Sequence, residues 1–351
     1  MRLEPRDHPP LWLSIGAPIA AALLALVLSA IPLTWAGAAV GEAYRLIFEG
    51  AAGSLFALTE TLARVTPLIL TGLAAAVAFR AKLWNIGAEG QLYMGALAAV
   101  ALGAGALNLP GIVLAPLILL AGALAGAMMM LGPTWLKLRL GVDEVVTTLL
   151  LNFIVLLFVQ MMLEGPMQDP MSMGWPQSAP VLDQAALPKL VEKTRLHAGL
   201  LIALAAVGLV WLMENRTIFG FEARAVGANA AAARFAGMSV PSVMLRVGLI
   251  SGALAGLAGV CEVAGLKGYV TQDLSPGYGY GGIVVAMLAR LNPLGVVPAA
   301  IFVAGVFVGA DSMSRAIGVS SYIADLIVAT SLLVMLLASL VVQFHIRFRA
   351  G

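Results

Sequence analysis

Asn85, Glu89 and Gln91 fall within seven residues at the head of an apolar run, in FRAKLWNIGAEGQLYMGALAA from Phe79 to Ala99. Two amides and a carboxylate can hydrogen-bond the hydroxyl and amide groups of a small polar solute. They can equally satisfy one another and nearby backbone, fixing how two helices join. If the segment is helical, Asn85 and Glu89 are four residues apart and share a face. Gln91 then points elsewhere, unless the helix breaks at Gly87 or Gly90. Both readings stand on the residues alone.

Other chemistry is harder to find. No G-x-x-x-x-G-K-[ST] occurs, so the chain holds no P-loop for nucleotide hydrolysis. Gly277, Gly279 and Gly282 match G-x-G-x-x-G within SPGYGYGG, but the dinucleotide-binding meaning needs a preceding strand in a βαβ unit. His8, His197 and His345 are far apart, which disfavours a metal site or a Cys/His nucleophile, and no G-x-S-x-G is present. The single cysteine, Cys261, lies in an apolar run and excludes an intrachain disulfide. Glu60 and Arg64, four apart, read as a local ion pair. Glu262, Asp311 and Asp325 sit near the ends of apolar runs, where they can face water.

The elements that must position these residues follow from composition. Of 351 residues, 61% are hydrophobic and 11% are charged, with a mean hydropathy of +0.98. Soluble domains carry roughly 25% charged residues, so this chain cannot cover a water-facing surface. Runs of about 18 or more apolar residues recur, each long enough to cross a bilayer. They are too long and continuous for barrel strands, so the expected class is an all-α polytopic membrane protein.

Helices are expected near 11–34, 55–79, 83–104, 111–136, 144–164, 197–213, 243–263, 280–290, 294–313 and 321–343. The second and eighth are interrupted or short, which reads either as a boundary misplaced by a few residues or as irregular backbone lining a cavity. Arg2, Arg6, Arg80, Lys82, Lys137, Arg139, Arg216, Arg224, Arg234, Arg246, Arg290, Arg347 and Arg349 gather in alternate loops, while the intervening loops hold fewer cations. That bias expects both termini inside, with 165–196 as an outer loop. The small net charge and scattered cations give no nucleic-acid surface. Gly248, Gly252 and Gly256 are spaced four apart, as are Gly122 and Gly126, and Gly305 and Gly309. Such spacing lets helix backbones approach closely.

The segment 214–242 reads as cytoplasmic. Ala228 to Phe235 is alanine-rich and helix-forming, Asn229 can cap its first turn, and Gly237 can end it. A helix of about two turns results, flanked by Glu222, Arg224 and Arg234. It can rest on lipid, or it can dock into a cytoplasmic partner.

Three blocks together resemble one family. TPLILTGLAAAVAFRAKLWNIGAEGQLYMGALAA, FGFEARAVGANAAAARFAGM and YGYGGIVVAMLARLNPLGVVPAA occur in order between Thr66 and Ala300. They resemble permease subunits of ABC importers in the branched-chain amino acid, ribose and nucleoside family. The NIGAEGQ core is most similar to the nucleoside branch.

This resemblance implies a single transmembrane permease domain over 1–351, in a bacterial plasma membrane, without an ATPase motif or bound cofactor of its own. It implies a second permease subunit, a cytoplasmic ATPase that hydrolyses the ATP, and an extracytoplasmic binding protein that delivers a nucleoside. A simple sugar is the alternative solute, and an ion-coupled secondary carrier is the alternative mechanism. The coupling helix, by the same resemblance, involves Glu222, Arg224, Gly227, Asn229, Ala232, Arg234 and Gly237, with Gly227 and Gly237 allowing turns on either side. Asn85, Glu89 and Gln91 would lie near the solute path.

Overall fold

Helix dominates because lipid offers backbone polar groups no partner, and long apolar runs satisfy them internally. The computed structural model describes residues 2–5, 10–107 and 109–347; Arg6, His8 and Arg349 lie outside them. A short strand β1 (Arg2–Pro5) precedes α1 (Leu11–Trp35), α2 (Val40–Ala52), α3 (Leu55–Arg80) and α4 (Ala88–Gly103). Next come α5 (Gly111–Leu140), α6 (Glu144–Leu163), a 3-10 turn (Asp183–Ala185) and α7 (Gly199–Arg216). The chain continues through α8 (Ile218–Ala228), α9 (Ala230–Phe235), α10 (Val240–Glu262) and a π turn (Val263–Lys267). It ends with α11 (Tyr278–Leu288), α12 (Pro293–Ile317), α13 (Ser321–Gln343) and β2 (Phe344–Arg347). The protein is all-α and polytopic, apart from the four-residue ribbon in which β1 pairs antiparallel with β2.

Seven described helices are long and apolar enough to cross a membrane: α3, α5, α6, α7, α10 with its π turn, α12 and α13. The described part of α1 can join α2 as one further span, bent by 116°. Each of the ten expected places holds a helix, but α4 has 16 residues and α11 has 11. Both fall short of the ~20 residues that span a hydrocarbon core. The helices α2 and α8 were not expected.

By packing, the chain divides into two compact units, Met1–Thr61 with Ile301–Gly351, and Leu62–Ala300. In the first, α1 runs along α13, and Leu33, Ala43, Met313 and Ile327 form a core. Gly309 lets α12 approach the Ile47 carbonyl of α2, where an added Cβ would sit 2.4 Å away. An apolar cavity of about 180 Å³ is lined by residues including Ala25, Ser29, Phe302 and Met335.

In the second unit, α10 lies against α5 and α4 with almost nothing between the backbones. A Cβ on Gly256 would meet the Gly122 carbonyl oxygen at 2.1 Å, and one on Gly259 would meet that of Leu92 at 1.9 Å. The stretch of α3 from Leu68 to Ala78 is buried on every side. By contrast, α5 and α6 expose Leu120, Leu124, Phe153 and Leu157, side chains suited to lipid. Residues 165–196 contain no α-helix; Ser178 pairs with Val270, tying that segment to the one leading into α11.

Candidate functional site

The helix does not begin where the polar cluster begins. After Arg80 the backbone turns, with Lys82 at φ 55°, and α4 starts only at Ala88. Asn85 therefore lies in irregular backbone, and the expectation that it shares a face with Glu89 is corrected. It meets Gln91 instead. Asn85 Nδ2 donates to Gln91 Oε1 at 2.8 Å, and Gln91 Nε2 donates to Asn85 Oδ1 at 2.9 Å. Asn85 Nδ2 also reaches Ser251 Oγ at 2.9 Å, and that hydroxyl donates to the Ala74 carbonyl at 2.7 Å. The Gly87 N–H donates to Asn85 Oδ1 at 2.9 Å. Both amides are buried and spend their capacity on one another, on Ser251 of α10, on the Gly87 N–H that precedes α4 and on the Met130 sulfur of α5.

Glu89 turns the other way. Its Oε2 accepts the Gly279 N–H at 2.6 Å in the first turn of α11, and Ser275 and Gly277 also face it. A Cβ on Gly279 would lie 2.3 Å from the Glu89 nitrogen, so glycine is needed for this approach. Glu89 itself belongs to the first turn of α4. Its carboxylate thus stands at the N-termini of two helices, where unpaired N–H groups and the helix dipoles favour negative charge.

Further polar groups close the joint. Asn152 Oδ1 accepts the Gly90 N–H at 2.9 Å, while its Nδ2 reaches the Ile86 carbonyl at 3.0 Å and Tyr280 Oη at 3.2 Å. The Ile86 N–H donates to Thr148 Oγ1 at 3.2 Å. Glu144 accepts the Trp84 N–H at 3.1 Å and pairs with Lys137. Tyr93 Oη donates to the Gln272 carbonyl at 2.5 Å and accepts the Ser275 N–H at 3.2 Å. Asn152 and Ser251 were missed in sequence; an isolated amide and hydroxyl inside apolar helices α6 and α10 were the available signal.

The second candidate region contains two helices. Thr217 caps α8 by accepting the Gly220 N–H at 3.2 Å. Asn229 caps α9 by accepting the N–H groups of Ala231 and Ala232 at 3.0 and 3.1 Å. At the other end Gly237 has φ 85°, its N–H bonds the Arg234 carbonyl, and the Met238 N–H bonds that of Ala233, both at 3.0 Å. This is a Schellman closure, which favours glycine. The expected helix from Ala228 is thus α9, shortened to Ala230–Phe235, and preceded by an unforeseen α8.

Gly227 does not form a turn. It lies inside α8, where a Cβ would sit 2.0 Å from the Arg80 carbonyl oxygen. Arg224 of the same helix donates to the Glu214 carbonyl. Glu222 is half-buried, whereas Ala232 and Arg234 are exposed and Phe235 is 96% exposed. Among the described residues no group of three or more His, Cys, Asp or Glu is placed to hold a metal ion.

Apolar helices throughout, with two short helices meeting at a buried carboxylate and a capped surface helix, make this a polytopic membrane protein. Residues 57–342 match the family described as "Branched-chain amino acid transport system / permease component". The chain belongs to that family of ABC transporter permeases, and it is a multi-pass plasma-membrane protein and a transport subunit rather than an enzyme. It is 39% identical to a glucose ABC transporter permease protein of Haloferax volcanii, covering 100% of this chain and 93% of the relative. It is 36% identical to a guanosine ABC transporter permease protein of Bacillus subtilis over 95% of both chains. A nucleoside ABC transporter permease protein of Lactococcus lactis is 33% identical over 78% of this chain and 77% of its own. No solved structure matches.

Proposed function

We propose that the chain is the permease subunit of a nucleoside importer, acting as one transmembrane domain over residues 1–351. The observation that carries this reading is the likeness to the guanosine permease along 95% of both chains. The nucleoside permease of Lactococcus lactis supports it. A separate cytoplasmic ATPase supplies the energy and binds the ATP. A second permease of the same family pairs with this one, and an extracytoplasmic protein delivers the solute. In this reading both termini face the cytoplasm and residues 165–196 lie outside, an arrangement that counts the short α4 and α11 as crossings and agrees with the cation bias.

In this reading α8 and α9 are the segment that couples to the ATPase, through Glu222, Arg224, Gly227, Ala232 and Arg234, with Asn229 and Gly237 capping α9 and its exposed Arg234 and Phe235 seated in the ATPase. Asn85, Glu89 and Gln91 form the joint beside the solute path rather than a solute cradle, because their hydrogen bonds are spent internally. The joint opens and closes as α4 and α11 separate and meet. Irregular backbone at membrane depth is tolerated where it lines such a path.

The Haloferax volcanii relative favours a second reading, a simple sugar as solute. Uptake by the reconstituted complex across labelled guanosine, adenosine, uridine, ribose and glucose separates the two. Saturable ATP-driven uptake of a nucleoside, uncompeted by excess glucose, is the expected result. Uptake of glucose alone transfers the assignment to the sugar.

A further inference from the structure

Arg80 ends α3, and four elements meet at it. Its Nη1 lies 3.2 Å from Glu214 Oε2 of α7. Its Nη2 donates to the Leu291 carbonyl at 2.5 Å, in the turn between α11 and α12. Its own carbonyl oxygen lies under Gly227 of α8, so closely that no side chain fits between. Glu214, whose side chain is 4% exposed, also receives Arg224 of α8 at its backbone carbonyl. The guanidinium thus hydrogen-bonds the Leu291 carbonyl while its charge pairs with Glu214, two directed contacts from one planar group that a lysine ammonium cannot reproduce.

The turn that Arg80 grips is unusual. Arg290 and Leu291 have φ of 51° and 58°, two consecutive non-glycine residues in the left-handed region. Such backbone persists only where its surroundings over-determine it. The Leu291 N–H bonds the Ala286 carbonyl at 2.8 Å, and Arg80 holds the Leu291 carbonyl. Eleven residues form α11, about 16 Å long. One end is fixed by Arg80 through Leu291, the other by Glu89 through Gly279. Gly282 brings the middle of α11 against Thr71 of α3, so α11 has little freedom except to move with its ends.

We propose that the Arg80–Glu214 pair is the link by which movement of α8 and α9 reaches the joint at Glu89. Displacing α8 pushes on the Arg80 carbonyl through Gly227 and pulls on Glu214 through Arg224. Arg80 shifts the Leu291 turn, and α11 carries the shift to Gly279. Arg80 and Glu214 are positioning residues, and neither touches solute. This inference rests on the reading of α8 and α9 as the ATPase-facing segment.

Arg80→Lys and Glu214→Gln test it, with two measurements. In the purified subunit, hydrogen exchange across 277–291 should quicken at least tenfold in both variants, including the Gly279 amide far from Arg80, while α5 stays protected. In the complete transporter, with ATPase, second permease and binding protein, the ATP hydrolysed per solute imported should rise at least tenfold while the complex still assembles. Exchange that changes only at 289–292 overturns the link. So does a loss of uptake matched by equal loss of assembled complex, since that is a structural role alone. The exchange measurement needs no transported solute. If the wild-type complex imports nothing, the functional reading fails while the physical link is still decided. If it imports only glucose, the ATP ratio is read on glucose.

Discussion

At the scale of single residues, Glu89 is the group on which α4 and α11 converge. Replacing it with alanine leaves the Gly279 N–H buried and without its acceptor, at a cost of about 1–3 kcal/mol. Glutamine keeps an acceptor oxygen for that N–H, so its cost is smaller. Thermal unfolding in detergent should rank wild type above Glu89→Gln and Glu89→Ala lowest. A Glu89→Gln variant that assembles fully but imports a different solute would instead favour direct contact with the solute. The types of Asn85, Glu89 and Gln91 were legible as a polar joint. Their partners were not, because the start of α4 at Ala88 decides which side chains face each other. Seven residues of irregular backbone between Arg80 and Ala88 carry no periodicity from which that pairing could be read.

His197, just ahead of α7, gives a pH dependence. Its ring packs against Gly199 and Gly265, Nδ1 accepts the Gly199 N–H at 3.1 Å, and Nε2 is buried without a hydrogen-bond partner. Burial, with Lys189 nearby adding to it, pushes its pKa down to about 4. An unfolded histidine titrates near 6.5, so the unfolded chain binds the proton first as pH falls. The neutral form's stabilisation is complete above about 6.5 and is lost progressively toward pH 4, up to about 3 kcal/mol. Melting temperature should fall between pH 7.5 and 5, and His197→Gln should flatten that part of the profile. An unchanged profile in the variant would assign the dependence to other groups.

At the scale of elements, α9 shows what local sequence can specify. Asn229 and Gly237 bracket it, and both cap as their chemistry requires. Removing the cap in Asn229→Ala should cost about 1 kcal/mol, confined to one short helix. Gly237→Val is harsher, because a β-branched residue must enter the left-handed region. Gly237→Val should sharply reduce ATPase co-purification and uptake while leaving the rest of the fold intact by circular dichroism. Normal transport at normal expression would overturn the proposed coupling role of α9. The neighbouring α8 was not legible, since Gly227 read as a turn and Gly220 carried no reading. They are instead contact points, and a glycine required for close approach looks in sequence like one required for a turn.

At the scale of the whole molecule, the repeated glycine spacing proved legible as close helix packing, but not as a set of partners. Gly252 and Gly256 of α10 face Gly126 and Gly122 of α5, and Gly95 of α4 faces Gly256. Gly305 carries the same spacing, yet an added Cβ would find only Ala51 Cβ at 3.9 Å. Spacing marks a permissive face, whereas the three-dimensional path of the chain decides whether a backbone fills it. The energetic difference follows from geometry: in a membrane, close van der Waals contact between helices replaces the hydrophobic drive available in water. Gly256→Val forces the backbones of α10 and α5 apart, with overpacking costs of about 1–3 kcal/mol or more. Gly305→Ala adds a methyl in ordinary contact, and Gly132→Ala and Gly208→Ala add one in open space. Gly256→Val should abolish the folded subunit in a fluorescence-detected size-exclusion profile, while the three alanine variants should elute as wild type. A normal profile for Gly256→Val would mean that α5 and α10 do not pack backbone to backbone, and the second unit would need another explanation of what holds it together.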